Sequence, residues 1–325
     1  MVTIREVKTE RDRRIFSDFP NKLYRDVPQY MPPLATDDRE DWNPKKNPAF
    51  SYCDVKAFLA ERDGKVVGRI GAILNHRANE KWHTNRMRFS QLDFIDDPEV
   101  SDALFGAVEA FAREKGCDSI HGPLGFTDLD REGMLVEGFD QKSMFITYYN
   151  YPYYIQHLER LGYAKDVDWV EFLIDVPTDA RLIDRLGKLS DRVLAHNRLH
   201  VAEVKRRRDF QPYVEKVFRL WNTAYAPLYG TTTLDDTQVK RYVKKFLPMI
   251  DPRLACFVMD EQDELVAFGV SAPSIASALK KSNGRLFPFG FVGVLRALKH
   301  NDTLDLFLIA VRPDYQNCAV NAIAV

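Results

Sequence analysis

The sequence predicts an α/β fold that is built twice along one chain, each copy being a mixed sheet flanked by helices. Three observations lead to this prediction. The chain has 325 residues, more than one hydrophobic core usually serves. An apolar strand, an acidic turn and a second apolar strand occur at residues 55–74 and again at 255–273. Each pair precedes a further strand that ends at a proline, Pro98 in the first copy and Pro313 in the second.

In the first copy, Asp63-Gly64 predicts the turn of a hairpin, because this dipeptide favours positive φ angles. Apolar residues then recur at helical spacing over residues 100–112, after Asp97 as a suitable N-cap. Short strands are expected at residues 118–121 and, closing the copy, at residues 169–176.

A charged helix at residues 178–198 is expected to bridge the copies, so the predicted domains are 1–177 and 199–325. The second copy has a longer connection before its last strand, at residues 274–302, where the first copy has residues 76–87. This connection contains the apolar run 287–298, which predicts a lid over an acyl chain or a helix packed between the domains.

The charge balance argues against nucleic-acid and membrane partners. The chain has 46 basic and 47 acidic residues, so no global field attracts polyanions. The run 205–208 is basic, and a solvated strand end or an anion site would explain it. We therefore expect no nucleic acid and no membrane as partner.

Cysteine usage and the N-terminus indicate a cytoplasmic protein. The four cysteines form no CxxC pair or Cys/His cluster, so we expect no metal and a reducing compartment. The first residues lack the apolar core of a signal peptide, and the apolar run 286–298 is too short to span a bilayer.

Four stretches carry a resemblance to a known family: DVPQYMPPLATDDREDWNPKKNPAF, GRIGAILNHRANE, GPLGFTDLDREGMLVEGFD and LERLGY. With the element order above, they resemble bacterial proteins that contain two domains of the GNAT superfamily of acyl-CoA-dependent N-acyltransferases. The resemblance covers most of the chain. It implies two GNAT-like domains, the second incomplete because it ends in the helix after its fourth strand, so that further helices and strands are expected beyond Val325.

The resemblance also implies a site for acetyl-CoA or another acyl-CoA. In the superfamily, a turn of pattern Q/R-x-x-G-x-G/A follows the fourth strand, and its N–H groups bind the CoA pyrophosphate. Here Gln316 matches, while Ala319 and Asn321 stand at the two glycine positions. The implied cofactor-binding residues are Ala310, Val311, Gln316, Asn317, Cys318, Ala319, Val320 and Asn321. A strand and turn that keep this shape without the ligand are the alternative.

The first copy departs further from the pattern, because Asp97, Glu99 and Asp102 occupy the aligned turn and would repel a pyrophosphate. Its role is expected to be structural or in acceptor binding. In the second copy, Asp305 is the carboxylate best placed to act as a general base, and an exposed strand residue is the alternative.

Two other features admit a functional and a structural interpretation. Six of the 14 tyrosines lie between Tyr148 and Tyr163, and these could line a substrate groove or pack in a core. His121 could act as a base or be a satisfied structural histidine. The superfamily tyrosine that precedes a closing Gly-aromatic pair is Leu158 in this chain.

The resemblance therefore implies an N-acyltransferase that moves an acetyl or other acyl group from CoA to the amine of a small molecule or peptide. One alternative is a catalytically degenerate tandem protein that acts as a binding module. A second alternative is aminoacyl transfer of the Fem type, against which the missing basic groove argues.

Overall fold

The structure is a computed structural model that describes residues 1–324. Val325, the last residue of the predicted second domain, lies outside the described residues. The first half of the chain forms β1 (Thr3–Glu6), α1 (Glu10–Leu23), α2 (Ala35–Asp41), β2 (Cys53–Arg62), β3 (Lys65–Asn75), α3 (His76–Trp82), β4 (Arg86–Phe94), α4 (Pro98–Glu114), β5 (Ser119–His121) and α5 (Tyr153–Arg160). The second half forms α6 (Ala180–Asn197), β6 (His200–Val201), α7 (Gln211–Ala224), α8 (Asp236–Phe246), β7 (Ala255–Met259), β8 (Leu265–Pro273), α9 (Ala276–Ser282), α10 (Gly290–Ala297), β9 (Leu304–Val311) and α11 (Asn321–Ala324).

The chain divides into two compact units, and the division does not follow the chain order. Unit 1 contains Met1–Trp169 together with Ile275–Ala297, so α9 and α10 belong to it. Unit 2 contains Val170–Ser274 and the chain from Leu298 onward. The long connection of the second copy is therefore part of the first unit.

Unit 1 is built on a sheet of order β1-β2-β3-β4-β5, antiparallel except for the β4 and β5 pair. The β2–β3 hairpin turns at Asp63, whose φ is 50°, and Gly64, as the dipeptide predicts. One face of the sheet packs on α4, whose apolar residues at helical spacing are buried. The Asp97 side chain caps α4 as expected.

Unit 2 is built on a sheet of order β6-β7-β8-β9, with antiparallel pairs throughout. Its core includes Val258, Val266 and Ala267 of the sheet and Val320 beside α11. The predicted duplication is confirmed, because β6 to β9 repeat the order and antiparallel pairing of β1 to β4. A register shift also recurs, at Arg69/Gly71 between β3 and β4 and at Val270/Ser271 between β8 and β9.

One predicted element is wrong. Residues 169–176 have the alternating pattern of a strand but form neither strand nor helix, and their apolar side chains are exposed. A strand forms only where a neighbour supplies backbone partners, and within residues 1–324 this segment pairs with no strand. The predicted bridging helix is present as α6.

Within residues 1–324, no helix combines the length and the apolar character needed to cross a membrane.

Candidate functional site

The predicted site in unit 2 is built on β9, the last strand of its sheet. This strand pairs with β8 on one side, and within the described residues no strand pairs with its other edge. An unpaired strand edge is the place where an extended ligand can add to a sheet. The hydroxyl of Tyr225, at the end of α7, donates to the carbonyl oxygen of Ile309 at 2.8 Å.

Asp305 lies near the start of β9 opposite Ala272 and is only 4% exposed. It is thus not an exposed strand residue. One carboxylate oxygen, Oδ2, has no hydrogen-bond partner within residues 1–324. Burial raises the pKa of Asp305, and the nearby Ser274 hydroxyl opposes this shift. A buried carboxylate with a free oxygen and a raised pKa is suited to accept a proton near neutral pH.

The predicted carrier turn follows β9 directly. A short 3₁₀ turn, Pro313–Tyr315, leads into residues 316–320 and then α11. The amide N–H of Cys318 donates to the carbonyl of Tyr315, and that of Ala322 donates to the carbonyl of Ala319. The eight residues implied as cofactor-binding thus form one continuous strand end and turn.

Ala319 has a φ of 57°, in the left-handed region that glycine normally occupies. The turn therefore holds Ala319 in a backbone conformation that favours glycine. In the described residues α11 comprises Asn321–Ala324 and follows the turn directly.

Two of the implied residues are buried. Val320 is fully buried against β7 and β8, and Ala310 is buried in β9. Gly269 explains how closely this end of the chain packs, because a Cβ there would lie 1.9 Å from the carbonyl oxygen of Ala324. Gln316, Asn317 and Cys318 remain at the rim of the turn, where a ligand could reach them.

The corresponding strand edge in unit 1 is covered by tyrosines. The hydroxyl of Tyr154 accepts from the Phe94 N–H at 2.9 Å, and the hydroxyl of Tyr153 donates to the Phe94 carbonyl at 2.5 Å. Both tyrosines lie on α5, so the end of β4 has its backbone groups satisfied by side chains. The tyrosine-rich stretch therefore packs in the core here.

The N-terminus of α4 is also occupied by the protein itself. Asp97 accepts from the Glu99 N–H, and Arg62 binds both carboxylates at 2.6 and 2.8 Å. Glu99 further accepts from the Val2 N–H. Only residues 95–97 separate the end of β4 from the start of α4.

No family model matches the chain. Protein YghO of Escherichia coli (strain K12) is 30% identical over 315 residues, which are 96% of this chain and 79% of that protein. The chain belongs to the family of Protein YghO. The bacterial ceramide synthase of Caulobacter vibrioides is 28% identical over 298 residues, which are 90% of this chain and 75% of that protein.

Among solved structures, the fold is similar to that of a tandem GNAT protein from the clavulanic acid biosynthesis pathway. The TM-score is 0.48 at 10% identity, over 100% of this chain and 83% of that one. The predicted α/β fold with two helix-flanked sheets is confirmed, because both halves have the strand order on which that prediction rests.

Sequence reasoning missed a buried ionic network in unit 1. Arg69 of β3 donates through Nε to Asp93 of β4 at 2.7 Å, and its Nη1 lies 3.6 Å from Asp38 of α2. Arg131 binds the same Asp38 at 2.6 Å, and Tyr24 donates to Asp93. Burial alone would lower the pKa of the Arg69 guanidinium, but Asp93 and Asp38 raise it above its ordinary value.

Arg131 comes from residues 122–152, a loop of unusual length with no helix or strand. Beside it, burial raises the pKa of Glu132 to about 8, and Oε1 of Glu132 has no hydrogen-bond partner among residues 1–324. A small pocket lies under the loop, lined by Leu92, Pro123, Gly133, Met134, Tyr148, Tyr149, Asn150 and Tyr154. Nothing in the periodicity of the loop could have indicated these buried groups.

A serine, a histidine and an aspartate form a hydrogen-bonded chain in unit 1. The His157 ring lies 2.8 Å from the Ser101 hydroxyl through Nδ1 and 2.9 Å from Asp96 through Nε2. Ser101 is 0% exposed and also bonded by Arg160. The Ser101 hydroxyl also donates to the Pro98 carbonyl oxygen at 3.0 Å, so it is fully engaged within the protein. The chain of hydrogen bonds therefore fixes α5 to α4 and is not a nucleophilic triad.

His121 does not provide a base in unit 1. Burial, with the Arg88 and Arg86 charges, lowers its pKa to about 3, so the imidazole is neutral and weakly basic at pH 7. Within residues 1–324, no cluster of three or more histidine, cysteine, aspartate or glutamate side chains has the arrangement of a metal site.

Proposed function

We propose that this protein is an N-acyltransferase that uses unit 2 to transfer an acyl group from acyl-CoA to an amine. One observation carries the proposal: Asp305, on the edge strand of unit 2, is buried and has a free carboxylate oxygen. The resemblance of the sequence to the GNAT superfamily and its similarity to a bacterial ceramide synthase support the reaction type.

In this reaction Asp305 removes one proton from the substrate ammonium. The amine nitrogen then attacks the thioester carbonyl carbon, so that a C–N bond forms and the C–S bond breaks. The second proton leaves the nitrogen and the CoA thiolate is protonated, which gives an amide and free CoA. A base contributes most when its pKa lies near the working pH, and burial moves Asp305 in that direction.

The spacing along β9 supports this assignment. Six residue steps separate Asp305 from Val311, about 20 Å at the rise of a strand. An extended phosphopantetheine arm is of comparable length. A pyrophosphate at the turn from Gln316 to Asn321 would therefore present the thioester near Asp305, with the arm along the open edge of β9.

The acceptor is proposed from the relatives. One of them is a bacterial ceramide synthase, and a ceramide is an amide of a fatty acid with a long-chain amino alcohol. We propose such long-chain amino alcohols as the first acceptors to test, with acyl-CoA donors from acetyl to long-chain.

The test measures thiol release from acyl-CoA donors of increasing length in the presence of amine acceptors. Asp305→Asn should lower kcat by about 10²- to 10⁴-fold, the usual contribution of a positioned base, and leave acyl-CoA affinity in calorimetry nearly unchanged. Asp302→Asn is the matched control, since Asp302 is exposed three residues earlier. Absence of acyl-CoA binding at millimolar concentration would refute the proposal and favour a binding module.

A further inference from the structure

We propose that the loop and helix at residues 286–297, called here the apolar arm, dock on the surface of an anionic lipid bilayer. The arm contains α10 and belongs to unit 1. The proposal is independent of the proposed acyl transfer, since it rests on exposure, anchoring and charge alone.

The arm exposes large apolar side chains. Phe287 and Phe289 are 78% and 79% exposed, and Phe291, Val292 and Leu295 of α10 are also exposed. The rings of Phe287 and Phe291 lie 5.9 Å apart, so these residues form one patch. A contiguous apolar patch of this kind marks an interaction surface more often than a solvated one.

The arm is held firmly rather than hanging free. Before it, α9 buries Leu279, and the Gly284 carbonyl accepts from the Ala35 N–H at 2.9 Å. The Lys280 ammonium donates to the Val27 carbonyl, and Arg285 pairs with Asp18 at 3.0 Å. These contacts tie the residues that precede the arm to the body of unit 1.

The start of α10 is fixed in the same way. A Cβ at Gly290 would lie 1.9 Å from the Arg285 carbonyl oxygen, so α10 begins in close packing against the end of α9. The Phe291 N–H donates to the Leu286 carbonyl at 2.7 Å. The exposed phenylalanines are therefore presented on a rigid support, which lowers the entropy cost of docking.

Charge identifies the partner as anionic. Residues 275–297 include four basic residues and no acidic one: Lys280, Lys281, Arg285 and Arg296. Lys281 and Arg296 are exposed on either side of the arm. Apolar side chains flanked by cations are the composition of segments that lie in the headgroup region of anionic membranes.

A second exposed apolar stretch provides the contrast. In unit 2, Phe172 and Leu173 are 77% and 86% exposed, but residues 166–179 contain five acidic residues and no basic one. An anionic surface would repel this stretch. The near-zero net charge of the whole chain excludes only a global attraction to anionic membranes. The proposal, which rests on a local basic patch, therefore differs from the sequence-based expectation of no membrane partner.

The test is vesicle flotation of the full chain, with vesicles of phosphatidylcholine alone or with phosphatidylglycerol added. We expect flotation only with the anionic vesicles, a loss of about tenfold or more in Phe287→Ser/Phe289→Ser, and a similar loss in Lys281→Glu/Arg296→Glu. The matched control, Phe172→Ser/Leu173→Ser, should float like the unmodified chain.

Each other outcome overturns the proposal. These outcomes are no flotation of the unmodified chain, flotation that persists in the arm variants, and an equal loss in the control variant. Light scattering and thermal melts without vesicles then measure the oligomeric state and the melting temperature of each variant. If the phenylalanine variant dissociates a dimer or melts at lower temperature, protein rather than lipid covers the arm.

Discussion

At the scale of single residues, Ala319 has a backbone conformation that alanine rarely adopts. Its φ of 57° is strained for a residue with a Cβ. Ala319→Gly should therefore raise the free energy of unfolding by up to about 1 kcal/mol, after the entropy cost of glycine. The same variant should tighten acyl-CoA binding if the turn holds a pyrophosphate, because the methyl no longer crowds it.

The control for this prediction lies three residues later. Ala322 is inside α11, so Ala322→Gly should lower the free energy of unfolding by about 1 kcal/mol. Chemical denaturation of both variants gives the comparison, and calorimetry with acyl-CoA gives the affinity. A destabilised Ala319→Gly would contradict the left-handed conformation.

We expect the stability of the protein to depend on pH through the buried carboxyl group of Glu132. Burial raises its pKa to about 8 in the folded protein, whereas an unfolded glutamate has a pKa of about 4.3. Between these values the folded state binds a proton that the unfolded state has lost. The free energy of unfolding therefore falls as pH rises through this window, by up to a few kcal/mol.

Glu132→Gln should remove this fall, because an amide keeps the neutral form at every pH. Denaturation at pH 5 through 9 measures it, with the exposed Glu137→Gln as control. If the unmodified chain and Glu132→Gln have parallel profiles, the carboxyl is ionised when folded and the burial argument fails.

The positions of some residues could be predicted from local sequence signals, whereas those of others could not. Asp63-Gly64 and the Asp97 cap act within a few residues of their own position, so sequence alone placed them. Asp305 could be placed on its strand, but its burial depends on a neighbouring strand and could not be read from alternation. Arg69 lies in an apolar run, and only the paired strand reveals its partner Asp93.

At the scale of elements, the Arg69 network joins β3, β4, α1 and α2. Arg69 donates to the Phe16 carbonyl of α1 at 2.8 Å as well as to Asp93. Arg69→Met would leave Asp93 as a buried charge without its cation. We expect a loss of about 3–5 kcal/mol in the free energy of unfolding.

A surface ion pair of similar geometry is the matched control. Arg5 pairs with Glu61 at 2.7 Å but is partly exposed, so Arg5→Met should cost about 1 kcal/mol or less. Equal losses in the two variants, measured by urea denaturation, would show that burial does not amplify the Arg69 interaction. The double variant Arg69→Met/Asp93→Leu should recover part of the loss, because Asp93 is then no longer a buried charge without its cation.

The element order was more predictable than the loops, for a physical reason. Apolar residues recur with one period along a helix and with another along a strand. The spacing of apolar residues therefore located β2, β3 and α4. The loop of residues 122–152 has no period, and its buried Arg131 and Glu132 are placed by tertiary contacts. Residues 169–176 have the apolar alternation of a strand, but among the described residues no strand pairs with them. Periodicity alone therefore predicted a strand that does not form.

At the scale of the whole molecule, unit 1 is made from two distant parts of the chain. Met1–Trp169 and Ile275–Ala297 are joined by the Asp18–Arg285 ion pair and the Ala35–Gly284 hydrogen bond. Between them, residues 170–179 are exposed and have no regular structure before α6. Such segments are the usual first sites of proteolysis.

Limited proteolysis should therefore cut first within residues 170–179, and the two products should stay together. The N-terminal product keeps most of unit 1, but α9 and its anchoring contacts lie on the other product. Co-elution of both fragments in size-exclusion chromatography under native conditions, and separation in urea, is the expected result. As a comparison, residues 1–169 expressed alone should melt at a lower temperature than the nicked complex. If the fragments separate without denaturant, residues 275–297 do not hold unit 1 together, and the chain is two independent domains in sequence order.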